Sequence, residues 1–329
     1  MRQVGVGVIG CGGMGRGLVS AAQAVGAKVV GGADSAPEVL KQFTEQFACP
    51  GYGSAEELLS NGSVEAVFVA SPNYMHCEHV VAVARAGRHV FCEKPMALTV
   101  ADCDRMIAEC KQAGVKLMVG QVLRYIADLW HLLELVRAGT LGKPAAAAIE
   151  RLWGVRNDTW RVEWRKHREL CGGPLYEVNV HELDYMCELL GQPTQAYAVA
   201  SKFVETPHDY EDVVMATYRF ADGGVGTLHG GGCSPLGRYQ VAVFCEQGDL
   251  FLDRGAGVLR YKTIGGEARE QATSEIKGEP SVQREVREFL EAVTEGKRVT
   301  IPGEHGRRAI AMIEAAYRSA ASGEPVTID

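Results

Sequence analysis

The run Gly10-Cys11-Gly12-Gly13-Met14-Gly15 follows directly on a β-type stretch at 3–9 and opens an apolar helical pattern. A G-x-G-x-x-G in that setting, with an acid about twenty residues on, constrains the fold more than any other feature of the chain. Gly10 permits a tight turn, Gly12 lets backbone amides approach a diphosphate, and Gly15 lets helix and strand lie close. Cys11, Gly13 and Met14 complete the loop, and the helix N-terminus adds partial positive charge for an anion. The acid is Asp34, at the end of Val29-Val30-Gly31-Gly32-Ala33. Its carboxylate suits both hydroxyls of an adenosine ribose and repels a 2′-phosphate. Ser35-Ala36-Pro37 just beyond bring no cation to hold one. The pattern predicts a dinucleotide site that prefers NAD to NADP.

Around this motif the sequence alternates. Strands are expected at 3–9, 27–33, 65–70, 88–92 and 116–119, with helices at 13–25, 37–47, 74–86 and 99–113. Such alternation gives a parallel sheet wound on both faces, with ligand at the carboxyl ends of its strands. From about residue 121 the pattern changes to a helix at 126–138 and β-type stretches near 145–152, 194–204, 210–220, 224–230, 238–246 and 248–262. A terminal helix is expected at 304–321, stopping at Ser322-Gly323-Glu324-Pro325. The fold class expected is α/β: an N-terminal Rossmann doubly wound sheet at 1–123, then a C-terminal α+β domain at 124–329 with a large, mostly antiparallel open sheet. The terminal helix is expected to pack back on the first domain. Apolar strand faces such as Val241, Val243 and Phe244, and an open edge, call for a cover. A homodimer or homotetramer would supply it.

Composition excludes other classes. The net charge of −7, from 34 basic and 41 acidic residues, gives no reason to expect nucleic acid or anionic membrane. No apolar run approaches the ~18 residues of a spanning helix. Met1-Arg2-Gln3 leads straight into the first strand, so a cytoplasmic protein without a signal peptide is expected. The ten cysteines form no C-x-x-C pair, which predicts reduced thiols and no metal site.

Three segments carry residues suited to chemistry. Ser71-Pro72-Asn73, with His76 just behind, and Glu93-Lys94-Pro95 each follow an expected strand of the parallel sheet. The third is 172–184, where a helix from about Leu175 would set Glu177, His181 and Asp184 on one stripe at i, i+4 and i+7. By spacing alone that stripe also describes a solvated polar face, and by position alone Lys94 also reads as a solvated loop lysine. Ahead of this segment stand Trp153, Trp160 and Trp164 among Arg156, Arg161, Arg165 and Arg168. Aromatic faces suit the C–H surface of sugar or cyclitol rings, and Arg suits a carboxylate or several hydroxyls. The same tryptophans would equally serve to pack a domain interface. Arg124 and Tyr125, at the domain crossover, are further candidates to line a cleft.

Taken together these motifs resemble the Gfo/Idh/MocA oxidoreductases, the glucose–fructose oxidoreductase and inositol dehydrogenase family, over essentially the whole chain. The resemblance implies a Rossmann domain followed by an α/β domain whose open sheet mediates oligomerisation. It implies catalysis by Lys94 and His181 with the acid Glu177 beside them. It places Ser71, Pro72, Asn73, His76, Glu93 and Lys94 with the glycine loop and Asp34 around NAD. It places Lys94, Arg124, Tyr125, Trp153, Trp164, Glu177, Asn179 and His181 around a small sugar or cyclitol. The family usually has Asp and Gly where this chain has Glu177 and Asn179, which lengthens the acid by a methylene and adds an amide. Imidazole titrates near neutrality and suits a base for a hydroxyl proton, while Lys94 can hydrogen-bond the same oxygen. The expectation is an NAD-dependent dehydrogenase of a secondary hydroxyl. Two alternatives are a hydrolase or lyase that oxidises transiently and then eliminates, and a cofactor-sensing regulator, against which intact Lys94 and His181 argue.

Overall fold

Strand β1 (Gly5–Ile9) is buried along its whole length, as strands covered on both faces by helices are. It begins the first unit of the chain. The computed structural model describes residues 2–154 and 161–329. In chain order β1 is followed by α1 (Gly13–Ala24), β2 (Lys28–Ala33), α2 (Pro37–Phe47), β3 (Gly51–Tyr52), α3 (Ala55–Leu59), β4 (Ala66–Val69), α4 (His76–Arg85), β5 (His89–Glu93), α5 (Val100–Gln112) and β6 (Leu117–Gly120). These strands form one parallel sheet in the order β3-β2-β1-β4-β5-β6. The order reverses between β1 and β4, and ligands of such sheets bind at the carboxyl ends beside that reversal.

The second part of the chain adds α6 (Ala127–Arg137), β7 (Pro144–Gly154), α7 (Arg168–Cys171), α8 (Val180–Leu190), β8 (Pro193–Ser201), β9 (Val213–Phe220), β10 (Val225–Gly231), β11 (Cys233–Cys245), β12 (Gly248–Asp253), β13 (Val258–Thr263) and β14 (Arg269–Ala272). It closes with α9 (Ser281–Glu295), α10 (Gly303–Ser322) and β15 (Val326–Thr327). The sheet runs β14-β13-β12-β11-β7-β10-β9-β8-β15, and its neighbours are antiparallel except for the parallel pair β7 and β10. The stretch read as one strand at 248–262 is a hairpin, because Arg254–Gly257 turn the chain between β12 and β13.

Residues 2–122 and 279–307 make the first compact unit, and residues 123–278 and 308–329 the second. The segment rejoining the first unit is therefore α9 and the start of α10. In the first unit Phe289 of α9 packs on Phe68 and Phe91, with ring centroids 6.1 and 5.6 Å apart. In the second, strand burial alternates. Val214, Ala216, Tyr218 and Phe220 of β9 point to the core while Met215 points out. The expectation that Val241, Val243 and Phe244 present one apolar face is corrected by the same alternation. Val241 and Val243 are core residues, and only Phe244 faces outward. Among the described residues no helix is long and apolar enough to cross a membrane, and no group of His, Cys, Asp or Glu could hold a metal ion.

Candidate functional site

At the end of β1 the glycine loop turns on Gly10, whose φ of +94° is left-handed and whose added Cβ would stand 2.5 Å from Ala70 O. A Cβ on Gly15 would stand 1.9 Å from Gly10 O, so loop and helix meet backbone to backbone. Gly12 and Gly13, in contrast, face open space, with nothing within 4 Å of a Cβ position. Helix α1 starts there with no side-chain cap and no acid in its first turn. Its leading amides are thus presented to that space, which fits a diphosphate. Met14 projects outward beside them.

Asp34 is fixed next to this cradle. Cys11 N–H donates to its Oδ2 and Ala36 N–H to its Oδ1, both at 2.9 Å. Each oxygen retains acceptor capacity for a ribose hydroxyl. A cavity of about 320 Å³ opens here between the ends of β1, β2 and β4, lined by Gly10, Asp34, Ser54, Ser71, Met75 and His79 among others. Ser54, Met75 and His79 did not stand out in the sequence. Ser54 is the N-cap of α3, its hydroxyl accepting from Glu57 N–H. His79 Nδ1 lies 2.8 Å from Ser71 Oγ, and burial lowers its pKa.

Further along the same sheet edge, β5 delivers Glu93 and Lys94, and the Lys94–Pro95 peptide is cis. Lys94 is half-buried and Asn73 buried. Pro72 stands in the cavity wall. His76 departs from its expected role as a cofactor contact. It is fully buried, and its two ring nitrogens each stand 2.8 Å from a backbone carbonyl, those of Ser71 and Pro95. It bridges the two loops through those carbonyls.

Glu93 is buried, with its carboxyl accepting from Lys94 N–H at 3.3 Å. Burial, against the pull of Lys94, pushes its pKa from 4.5 up to about 7. A carboxyl raised on folding favours the folded state in its protonated form, so its penalty grows as pH rises from about 4.5 to about 7. That is worth about 3 kcal/mol on integration. In urea unfolding of the cofactor-free protein, the stability of Glu93→Gln relative to the unmodified chain is expected to rise by that amount between pH 4 and pH 8. An offset independent of pH would show that folding leaves the Glu93 pKa unshifted.

In the second unit, α7 ends in two left-handed glycines, Gly172 and Gly173, and the next helix starts with a π turn over Leu175–Asn179 before α8. Such turns recur at functional positions. The stripe expected to be solvated or catalytic is buried: Glu177 is 5% exposed, His181 7%, and Asp184 not at all. Glu177 Oε2 accepts from Arg165 Nε at 2.8 Å. Arg165 is itself held, its guanidinium 4.7 Å over the Trp164 ring. Its carbonyl accepts from Tyr210 Oη at 2.7 Å and from Cys171 Sγ at 3.5 Å. The Cys171 thiol, pushed up to about 12 by burial, stays a neutral donor there.

Two residues expected around the substrate turn inward instead. Asn179 is fully buried, its Nδ2 3.4 Å from Arg151 O and 3.3 Å from Glu182 Oε2. Gly230 of β10 lies against it so closely that a Cβ there would stand 2.4 Å from Asn179 Oδ1. Arg124 is buried in ion pairs with Asp184 at 2.5 Å and Glu188 at 3.0 Å. Its charge is spent on helix α8. Tyr125 is buried as well, and Trp153 half-buried. Arg156 and Trp160 lie outside the described residues. Arg168 is paired with Glu211 and stacked 4.3 Å over the Tyr317 ring.

Two family models match this chain, that of an oxidoreductase family's NAD-binding Rossmann fold over residues 4–121 and that of its C-terminal alpha/beta domain over residues 133–328. The 2,7-anhydro-N-acetylneuraminate hydratase of Escherichia coli (strain K12) is 31% identical over 254 residues, which are 75% of this chain and 67% of that protein. The myo-inositol 2-dehydrogenase of Thermotoga maritima is 29% identical over 291 residues, 85% of each chain. Among solved structures, an aldose-aldose oxidoreductase from Caulobacter crescentus complexed with glycerol superposes with a TM-score of 0.88 at 28% identity, covering 99% of this chain and 100% of that one.

Proposed function

Because the chain belongs to the Gfo/Idh/MocA family of NAD-binding oxidoreductases, we propose that it moves a hydride between NAD and a secondary hydroxyl of a sugar, sugar derivative or cyclitol. The observation that carries this reading is Asp34, clamped by two amides beside an uncapped, glycine-lined helix start. Bound there, NAD supplies the hydride acceptor. In this reading His181 is the base that takes the hydroxyl proton and Lys94 is a hydrogen-bond donor to substrate. Glu177, paired with Arg165, orients these groups or a neighbouring hydroxyl. The names of the relatives, an anhydro-sugar hydratase and an inositol dehydrogenase, support a polyhydroxylated ring as substrate. The test is absorbance at the reduced-nicotinamide band with NAD across sugars, sugar acids, glycosides and inositols. Growth of the band with one class supports the reading. A flat response across the panel, with NAD bound, refutes a net dehydrogenase.

The E. coli relative is a hydratase by name, and that favours one second reading, transient oxidation followed by elimination or hydration. Product formed without lasting reduction of NAD would select it.

Asp34→Ala is expected to weaken NAD binding about tenfold to a hundredfold, the worth of a charge-assisted hydrogen bond. It should also narrow the gap to NADP. Calorimetric titration checks both, and equal affinity of the unmodified protein for the two cofactors would sink the claim.

The open face of the large sheet fits a second copy of this chain. Tyr197, Val199, Met215 and Phe244 project from it, Val199 and Met215 each more than half exposed. A groove of about 550 Å³ is lined by Tyr197, Val199 and Met215 among others. Exposed apolar surface of this kind marks an interface. Light scattering at micromolar concentration is expected to give a dimer or tetramer, and a stable monomer would refute it.

A further inference from the structure

The loop beyond Asp34 carries no cation, but helix α1 brings one from the other side. Arg16 Nε donates to Cys11 O at 3.1 Å. Its Nη2 donates to Gln42 Oε1 at 3.0 Å and to Val39 O at 3.4 Å, both on α2. All three acceptors are neutral, and Arg16 makes no ion pair among the described residues. Cys11 is held at its amide by the Asp34 carboxylate and at its carbonyl by the Arg16 guanidinium. The two opposite charges flank one residue of the glycine loop. Burial does most to push the pKa of its thiol up, Asp34 adds to that rise, and Arg16 opposes it.

We infer that Arg16 is a second determinant of cofactor choice, a guanidinium that favours a ribose 2′-phosphate and is overruled by Asp34. This rests on Asp34 being the ribose clamp. Arginine suits the role because its planar fork binds phosphate while its other donors stay tied to the protein. Asp34 opposes it by charge repulsion and by filling the place the phosphate would take. NAD selectivity is then a balance between two side chains, with the cationic one already built and held.

The test is calorimetric titration of NAD and NADP against the unmodified protein, Asp34→Ser, Arg16→Gln, Arg16→Lys and the Asp34→Ser/Arg16→Gln double variant, each first checked for cooperative thermal unfolding. Asp34→Ser is expected to gain NADP affinity by about tenfold or more, and Arg16→Gln in that background to lose about tenfold to a hundredfold. NAD affinity should change about threefold or less on removing Arg16, a small fraction of that loss. Arg16→Lys, which keeps the charge without the fork, should retain part of the NADP affinity. An NADP gain independent of Arg16, or equal losses of NAD and NADP on removing it, would reduce Arg16 to a tie between α1 and α2. Unchanged NAD affinity in Asp34→Ser would refute the ribose clamp instead, a separate failure.

Discussion

Alanine at Lys94 or at His181 is expected to lower turnover by ~10²–10⁴ while NAD binds almost as before. The separation follows from where the proposed cofactor site lies. Gly10, Gly12, Gly15 and Asp34 form the cradle at the ends of β1 and β2, and neither replacement touches those backbone contacts. Losing the proposed base or the proposed hydrogen-bond donor instead is expected to raise the barrier for the step in which the hydroxyl proton leaves. Glu177→Gln divides the two readings of the reaction. An acid that only orients its neighbours costs little on becoming an amide. An acid that abstracts a proton from carbon during elimination costs nearly all activity. Stopped-flow absorbance of single-turnover hydride transfer, beside net product formation, measures both. Unimpaired hydride transfer in both alanine variants would place the chemistry elsewhere in the chain.

Arg124→Met is expected to destabilise the protein by about 3–5 kcal/mol, because it strands a buried carboxylate. Asp184 is wholly enclosed and takes two bonds from Arg124, at 2.6 and 2.5 Å, and Glu188 takes a third contact. For a unit of this size that corresponds to a fall in Tm of about 6–20 °C. Replacing Asp184 by Leu in the same chain should return much of the loss, since a pair of apolar residues leaves no buried charge. Turnover per folded molecule should stay within about threefold, as expected of a residue outside the reacting groups. A raised KM at unchanged Tm would restore Arg124 to the substrate site.

These two cases mark the limit of what the residues disclose in order. The glycine loop, Asp34 and the alternation of strand and helix were legible because each is local: a turn, a period, an acid at a fixed distance. Helix α9 was passed over although Val286, Phe289, Leu290 and Val293 keep helical spacing and Arg287 pairs with Glu291 four residues on. Strand β3 has only two residues and no period to detect. The fates of Arg124, His76 and Asn179 were illegible for another reason. Each is decided by a partner distant in sequence, such as Asp184, sixty residues from Arg124. A cation among polar residues has the same local signature whether it meets a substrate or a buried helix. Arg16 is illegible in the same way, because it stands before Asp34 in sequence and only the fold brings it beside Cys11.

The late return of the chain to its first unit bears on how the protein is made. A ribosome that has released residues 2–122 has synthesised every strand of the parallel sheet, yet α9 is still unmade. Phe289 is the ring that covers Phe68 and Phe91, and Ile301 O accepts from Val119 N–H beside β6. At ~5–20 residues per second, roughly ten to thirty seconds pass before that covering arrives. Through that interval Phe68 and Phe91 lack the ring that packs on them, and apolar surface of this kind is prone to aggregate. The first unit starts before the second in translation, yet its last helix is made after most of the second.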